Sequence, residues 1–343
     1  MLGSIPRFAL EETALHDRRP LGRKGSATRS GPVLAVLDLG TNNCRLLIAR
    51  PMANDRFKAV DSFSRIVRLG EGVATNGEIS EAAMERTIAA LKICAQHIAR
   101  SGATHVRAIA TQAARLAGNA DVLIARARAE AGIALEVISS EAEADLAALG
   151  CAPLIGSKYK GALIFDIGGG STEIIHLVRK SAAFEKTFSA SLPYGVVTLS
   201  ESYGAMAQSR AGFDKMAAAM REVFSPFASE CFDSLHEHLL GTSGTVTTLA
   251  ALALKLPRYN RARVDGSWHE TGHMLRIVER IAGHDVAALA RLGPIGEERA
   301  DLMLAGCAIF TAICSLWPSR MLRVADRGLR EGMLRQLRQD LDL

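Results

Sequence analysis

One pattern occurs twice in this chain. "LDLGTNNCRLLIA" spans 37–49 and "FDIGGGSTEIIHL" spans 165–177. In register, Asp38 falls on Asp166 and Gly40 on Gly168, 128 positions apart. Each copy is an apolar run ending in aspartate, then a glycine-bearing turn, then a second apolar run. That order reads as strand, turn, strand. Glycines at such a tip let backbone N–H groups approach phosphate oxygens without side-chain interference. An ordinary Gly-rich hairpin turn would account for either copy alone. Two matched copies favour a function, because two tips facing each other across a cleft would clamp phosphates from both sides.

Other phosphate loops do not fit. A dinucleotide fingerprint needs GxGxxG between strand and helix. Here, counting from Gly168 and Gly170, its last position is Glu173, and the following "STEIIHLV" is β-rich. A Walker-type lysine is absent from this loop. In the second copy Gly168, Gly169 and Gly170 would bring backbone to the phosphate, and Ser171 and Thr172 would add hydroxyl donors. A third glycine site, "LLGTSGTVTTLAALAL" at 239–254, reads as strand, loop, helix. Gly244 and Thr245 would stand at the helix N-terminus, where free N–H groups and the macrodipole attract anions. An N-capped helix without a ligand explains that site equally well on its own.

The 343 residues suggest two domains, and 48% hydrophobic content supplies their cores. The net charge of +5 suits an anionic ligand without saying which. Much of it comes from Arg18, Arg19, Arg23, Lys24 and Arg29, in a stretch (1–31) that reads as a mobile leader. No signal peptide is apparent there. The six cysteines form no CxxC pair, which reads as buried free thiols in a reducing cytoplasm. "LMLAGCAIFTAICSLW" at 302–317 is the longest uncharged run and is too short for a membrane span, so a buried helix is expected.

Elsewhere strands alternate with helices, which argues an α/β fold. "SEAAMERTIAALKICAQHIARSG" is a helix with Ser80 as N-cap and Gly102 past its end. "THVRAIAT" and "IALEVISS" read as strands, "AGNADVLIARARAEAG" as a helix, and the tail as helical through "LREGMLRQLRQDL".

With these residues in view, the chain resembles the exopolyphosphatase / guanosine pentaphosphate phosphohydrolase family. "LDLGTNNCRLLIA" resembles its first phosphate motif, "FDIGGGSTEI" its second and "GTSGTVTTLAAL" its third glycine motif. The glycine motifs alone would reach only the superfamily of actin and sugar kinases. The intervening "VRLGEGV", "ATQAARLAGN", "EVISSEAEADLAALG", "SLPYGVVTLSE", "ERADLMLAG" and "DRGLREGML" follow the family's order. The resemblance implies two ribonuclease-H-like (actin-like ATPase) domains with a cleft between them, from a duplicated fold. The expected division is 32–140 plus about 321–343 as domain I and 141–320 as domain II.

The resemblance also implies a reaction: water attack on the terminal phosphoanhydride, with a carboxylate base, a divalent cation and donors for the phosphate oxygens. Glu143, in the E-x-E-A stretch just before a helix, matches the family's catalytic glutamate, and Glu141 reads as a solvated neighbour. Asp166 and Glu173 match its acidic pair, with Mg²⁺ on Asp166, Glu173 and Asp38. Other divalent ions and stimulation by K⁺ belong to the same expectation. Phosphate contacts are expected from Asp38, Gly40, Thr41, Asn42 and Asn43, from Gly168 to Thr172, and from Gly244 and Thr245. Arg115 matches a phosphate-contacting arginine, its fork suiting a phosphoryl group. Arg45 matches too, a position equally open to a solvated strand arginine.

Asn43, Leu116 and Asp265 depart from the residues usual at their positions, and Asp265 is expected to bear on substrate preference. "HETGH" at 269–273 fits HExxH, but nearby glycines argue against the single helix a zinc site needs. "HEH" at 236–238 reads as an exposed face. Three functions follow: an exopolyphosphatase, a pppGpp 5′-phosphohydrolase of the stringent response, and a non-catalytic alarmone binder. The catalytic carboxylates argue against the third. The expected partner is polyphosphate or a guanosine phosphate, not nucleic acid or membrane, and a homodimer is compatible with it. Longer family members carry a further C-terminal helical region implicated in long-chain processivity. Since this sequence ends soon after "GLREGML", shorter chains and nucleotides are expected to compete well.

Overall fold

The computed structural model describes residues 8–9, 31–53, 55–181, 183–228 and 237–343. The expected leader therefore lies outside the described residues except for Phe8, Ala9 and Gly31, as do Cys231 and His236. The strands are β1 (Phe8–Ala9), β2 (Leu34–Leu39), β3 (Asn43–Pro51), β4 (Phe57–Ile66), β5 (His105–Ala110) and β6 (Leu135–Val137). They continue as β7 (Gly161–Ile167), β8 (Thr172–Lys180), β9 (Ala183–Leu192), β10 (Leu239–Thr242), β11 (Trp268–Glu270) and β12 (Met321–Ala325).

Two sheets result. The first has the order β4-β3-β2-β5-β6 and the second β1-β9-β8-β7-β10-β12-β11. In each, three antiparallel strands are followed by two parallel ones: β4, β3 and β2 then β5 and β6, against β9, β8 and β7 then β10 and β12. The second sheet thus repeats the first, and the repeated sequence pattern is the first hairpin of each.

The duplication extends to the turns. Gly40 N–H donates to Asn43 O at 2.9 Å, and Gly168 N–H donates to Ser171 O at 2.9 Å. Asp38 lies opposite Arg45 and Asp166 opposite Glu173, each seven positions on. The two hairpins share a backbone and diverge at that position, which carries a cation in one and an anion in the other.

The chain's end is shared between the lobes, unlike the expected assignment of 321–343 to domain I. β12 belongs to the second sheet, where Leu322 registers with Leu239 of β10. The duplicated topology requires this fifth strand, and β10 offers it an open parallel edge. The helix Leu329–Asp340 then crosses back, packing Met333 and Leu334 with Leu34, Val36 and Ile109 of the first sheet. Conversely, the helix Ser140–Cys151 packs Ala144, Ala147 and Ala148 against Ile164 and Ile175 of the second. The two helices cross on glycines. A Cβ on Gly150 would stand 2.0 Å from Gly328 O, and one on Gly332 1.9 Å from Leu146 O.

Local signals read from sequence are met. Ser80 Oγ accepts from Ala83 N–H, and Gly102 ends the helix Glu81–Ser101 at φ 65°. The uncharged run forms the buried helix Met303–Leu316, and no helix among the described residues is long and apolar enough to cross a membrane. Cys44, Cys94, Cys151, Cys307 and Cys314 are buried free thiols. His238, expected on an exposed face, is instead buried against Tyr159 and Trp268, where its ring gains aromatic contacts.

Candidate active site

The two hairpin tips meet where the sheets face each other. Each tip glycine takes up space that a side chain would deny its partner: a Cβ on Gly169 would lie 3.0 Å from Thr41 Cβ, and one on Gly170 2.5 Å from Thr41 Oγ1. Contact between the tips themselves, more than freedom of φ, is what these glycines permit. Beside the contact lies a cavity of about 420 Å³. Asp38, Gly40, Thr41, Asn42, Asn43 and Arg45 line it from the first lobe. Asp166, Gly168, Gly169, Gly170, Ser171, Glu173, Gly244 and Thr245 line it from the second, and Glu143 from the connecting helix. Arg45 is thereby placed in the cavity, not on a solvated strand face.

Four carboxylates converge there. Burial pushes Glu143 up to about 7, with Arg115 opposing and Asp38 and Asp166 adding to the rise. Asp166 rises to about 6, chiefly through burial, against the pull of Arg45 and with a push from Asp38. Glu173 rises well above the carboxylate range through burial and the charges of Glu143 and Asp166, although Ser171 and Ser191 donate to its Oε1 at 2.6 and 2.9 Å. Asp38 rises for the same first reason, eased by Arg45 and Arg330. Burial is the common and largest cause, and the charges of neighbouring carboxylates add to it at Glu143, Asp166 and Glu173.

Cations share the cavity with them. Arg261, Arg299, Arg327 and Arg330 line the same cavity. Burial lowers Arg330, and the charge of Arg45 lowers it further. Arg261 donates to Asp326 O and to Glu331 Oε1, both at 2.7 Å, while Glu331 Oε2 accepts from Gly328 N–H. Arg299 stands 3.6 Å from the Cβ position of Gly244, over the start of the helix Gly244–Ala253. Between β10 and that helix, Ser243 is held at φ 95°, where a non-glycine residue is strained. Ser243 lines the cavity, and its hydroxyl is buried without a partner among the described residues.

Two expected phosphate contacts are not in the lining. Thr172 is fully buried, and its hydroxyl donates to Tyr194 O at 2.6 Å, bracing the second tip from behind. Arg115 donates to Glu143 Oε2 at 2.8 Å, to Ile138 O at 3.0 Å and to Gln112 Oε1 at 2.7 Å. Both terminal nitrogens of its fork are engaged by the protein, so Arg115 orients the glutamate. Glu143 itself lies inside the first turn of the helix Ser140–Cys151, not before it, and Ser139 caps that helix. An Arg115→Met variant should therefore lose kcat by about tenfold or more with KM within about twofold. A rise in KM alone, in steady-state phosphate release, would return Arg115 to a phosphate contact.

Asp265 does not line the cavity. Its carboxylate holds the Arg327 guanidinium from both oxygens and accepts from Asp326 N–H, so it fixes the arginine wall from outside. HExxH is divided: His269 is on β11, bonded to Ser267 Oγ at 2.8 Å, while His273 is in the helix Thr271–Ala282. Among the described residues no three His, Cys, Asp or Glu side chains are grouped to hold one metal ion.

The comparisons with known proteins give the family. The Ppx/GppA phosphatase family profile matches residues 47–340. The chain belongs to that family. It is 32% identical over 287 residues to "Exopolyphosphatase 2" of Mycobacterium tuberculosis, covering 80% of this chain and 88% of that one. It is 30% identical over 318 residues to the guanosine-5′-triphosphate,3′-diphosphate pyrophosphatase of Photobacterium profundum, covering 89% of this chain and 59% of that one. The crystal structure of the Aquifex aeolicus Ppx/GppA family member superposes with TM-score 0.75 at 28% identity, over 91% of this chain and 99% of that one. The fold is accordingly the two-domain actin-like fold of the Ppx/GppA proteins.

The arginine wall had a sequence signal, although no role was read from it. Arg327 and Arg330 lie in "DRGLREGML", Arg299 in "ERADLMLAG" and Arg261 in "RYNRARVDG". That signal was faint, since Arg327 alone adjoins a glycine and Arg330 falls in the tail read as helical. Nothing local placed them in one cavity with the hairpin tips.

Proposed function

We propose that this member of the Ppx/GppA family is an exopolyphosphatase, releasing orthophosphate from the end of inorganic polyphosphate. One observation carries the reading: a single cavity holds carboxylates that raise one another and arginines that oppose one another. The carboxylates are short of a cation, and Arg330, lowered by burial, Arg45 and Arg261, is short of an anion. A metal-bound phosphate chain supplies both.

Asp166 and Glu173, with Asp38 facing them, are hard oxygen donors at the mouth of the tips. Asp166 and Glu173 are paired across β7 and β8, and one or two such carboxylates suit a hydrated Mg²⁺, the usual habit of that ion. When bound, Mg²⁺ would neutralise charge on the phosphate being transferred. Glu143, held by Arg115, takes the proton from the attacking water, and a value near 7 suits a general base at neutral pH. The tip N–H groups, the Ser243 hydroxyl and the start of the helix Gly244–Ala253 would receive phosphate oxygens. Arg45 and Arg330 would take the transferring end, and Arg261 and Arg299 the chain beyond it.

A second reading, hydrolysis of pppGpp, is favoured by Tyr259, which lines the cavity near Arg261 and is 39% exposed as a residue. An aromatic face there could stack a base. Phosphate release from long polyphosphate, short polyphosphate and pppGpp, side by side with Mg²⁺ and with chelator, tests both. We expect Mg²⁺-dependent release, with kcat/KM higher on polyphosphate. A higher value on pppGpp would establish the second reading, and no release from any of them would remove both.

A further inference from the structure

The chemistry above leaves three charged residues unexplained: Arg68 of "VRLGEGV", Glu201 of "SLPYGVVTLSE" and Asp301 of "ERADLMLAG". The fold brings them to one place, around a second cavity of about 230 Å³ behind the first tip. Arg68 Nη2 donates to Asp301 Oδ2 at 2.9 Å, joining residues 233 positions apart on opposite lobes. Gly72 N–H donates to Glu201 Oε1 at 3.0 Å, again across the lobes.

The loop that carries Arg68 also carries the first phosphate tip. Val67 and Arg68 N–H both donate to Asn42 O, at 2.9 and 3.0 Å, and Gly70 N–H donates to Thr41 O at 2.8 Å. Thr41 and Asn42 are the residues that touch Gly169 and Gly170 of the second tip. A pull between Asp301 and Arg68 is therefore transmitted through three backbone hydrogen bonds to the contact between the tips. Arg68 sits at φ 49°, a left-handed conformation that suits glycine better. The position keeps arginine despite that cost, which points to its side chain. The other oxygen of Asp301, Oδ1, is buried without a partner among the described residues, so Arg68 is the cation that answers this carboxylate.

We propose that Arg68 and Asp301, aided by Glu201, are positioning residues: a clasp between the lobes that sets the separation of the two tips without touching substrate. The inference rests on the large cavity being the phosphate site, and its test has an arm independent of that reading. R68G keeps the left-handed backbone and removes the guanidinium. R68D and D301R reverse one charge each, and R68D/D301R restores the pair in opposite sense.

Small-angle scattering of the full chain should show a larger radius of gyration in each single variant, recovered in the charge swap. KM for phosphate release from polyphosphate should rise about fivefold in R68G, the upper range for a half-exposed pair. It should fall back towards wild type in the swap, a coupling that a merely structural loss would not produce. Higher salt, which also screens the arginines that bind the chain, should raise KM in both and by a larger factor in wild type than in R68G. The proposal is overturned if R68G matches wild type in both scattering and KM, or if the swap is no better than R68D alone. Should R68D melt below the assay temperature, R68G and D301N decide. If wild type releases no phosphate, the functional reading fails while scattering still decides the clasp.

Discussion

Replacing Glu143 with glutamine should lower kcat for phosphate release by about a thousandfold, the range for a general base whose proton acceptor is lost. Glutamine keeps the shape and can still accept from Arg115, so orientation and fold should survive. The sequence alone suggests an accessible cleft residue whose removal costs little stability. The structure shows instead a side chain only 14% exposed, paired with Arg115 and held to about 7 by burial. At pH 8 the ionised carboxylate opposes folding, so E143Q should melt no lower than wild type there. Turnover within tenfold of wild type, measured with the melting curve, would remove Glu143 as the base.

The second large effect is on stability as a function of pH. Glu143 is raised from 4.5 to about 7 and Asp166 from 3.8 to about 6. Between the unfolded and folded values the folded state holds protons that the unfolded state has released. Stability from this site is therefore full below about pH 4 and is lost as pH rises through 6 and 7. The loss by pH 8 is on the order of 3 kcal/mol, because coupled carboxylates do not simply add. For a chain of this length that is about 4 °C in melting temperature. The measurement is thermal melting between pH 5 and 8 in chelator, wild type against E143Q, which cancels surface groups common to both. We expect the wild-type curve to fall relative to E143Q as pH rises, and Mg²⁺ at pH 8 to restore part of the difference. Parallel curves would show that burial does not hold these carboxylates protonated.

The parts of the molecule legible in sequence are those whose signals are local. The β2–β3 and β7–β8 hairpins are marked by apolar runs around glycine tips. The helix Glu81–Ser101 is marked by a cap at Ser80 and a glycine stop at Gly102. β12 is not marked in this way: "MLRVA" is five residues in a tail that otherwise reads as helix. It is a strand because β10 leaves a parallel edge for it. Arg115 was placed on the phosphate by resemblance, and only the packing of two helices turns its fork onto Glu143.

The sequence by itself determined the duplicated unit, its two glycine tips, and the carboxylates that belong to them, because each is written within a dozen neighbouring residues. The tertiary structure alone decided which charges meet. Arg115 reaches Glu143 across 28 positions and Arg68 reaches Asp301 across 233, and Arg45 and Arg330 come from opposite ends of the chain to one cavity. Coulomb energy depends on distance and burial in space, not along the chain, and both are set only when the two sheets face each other.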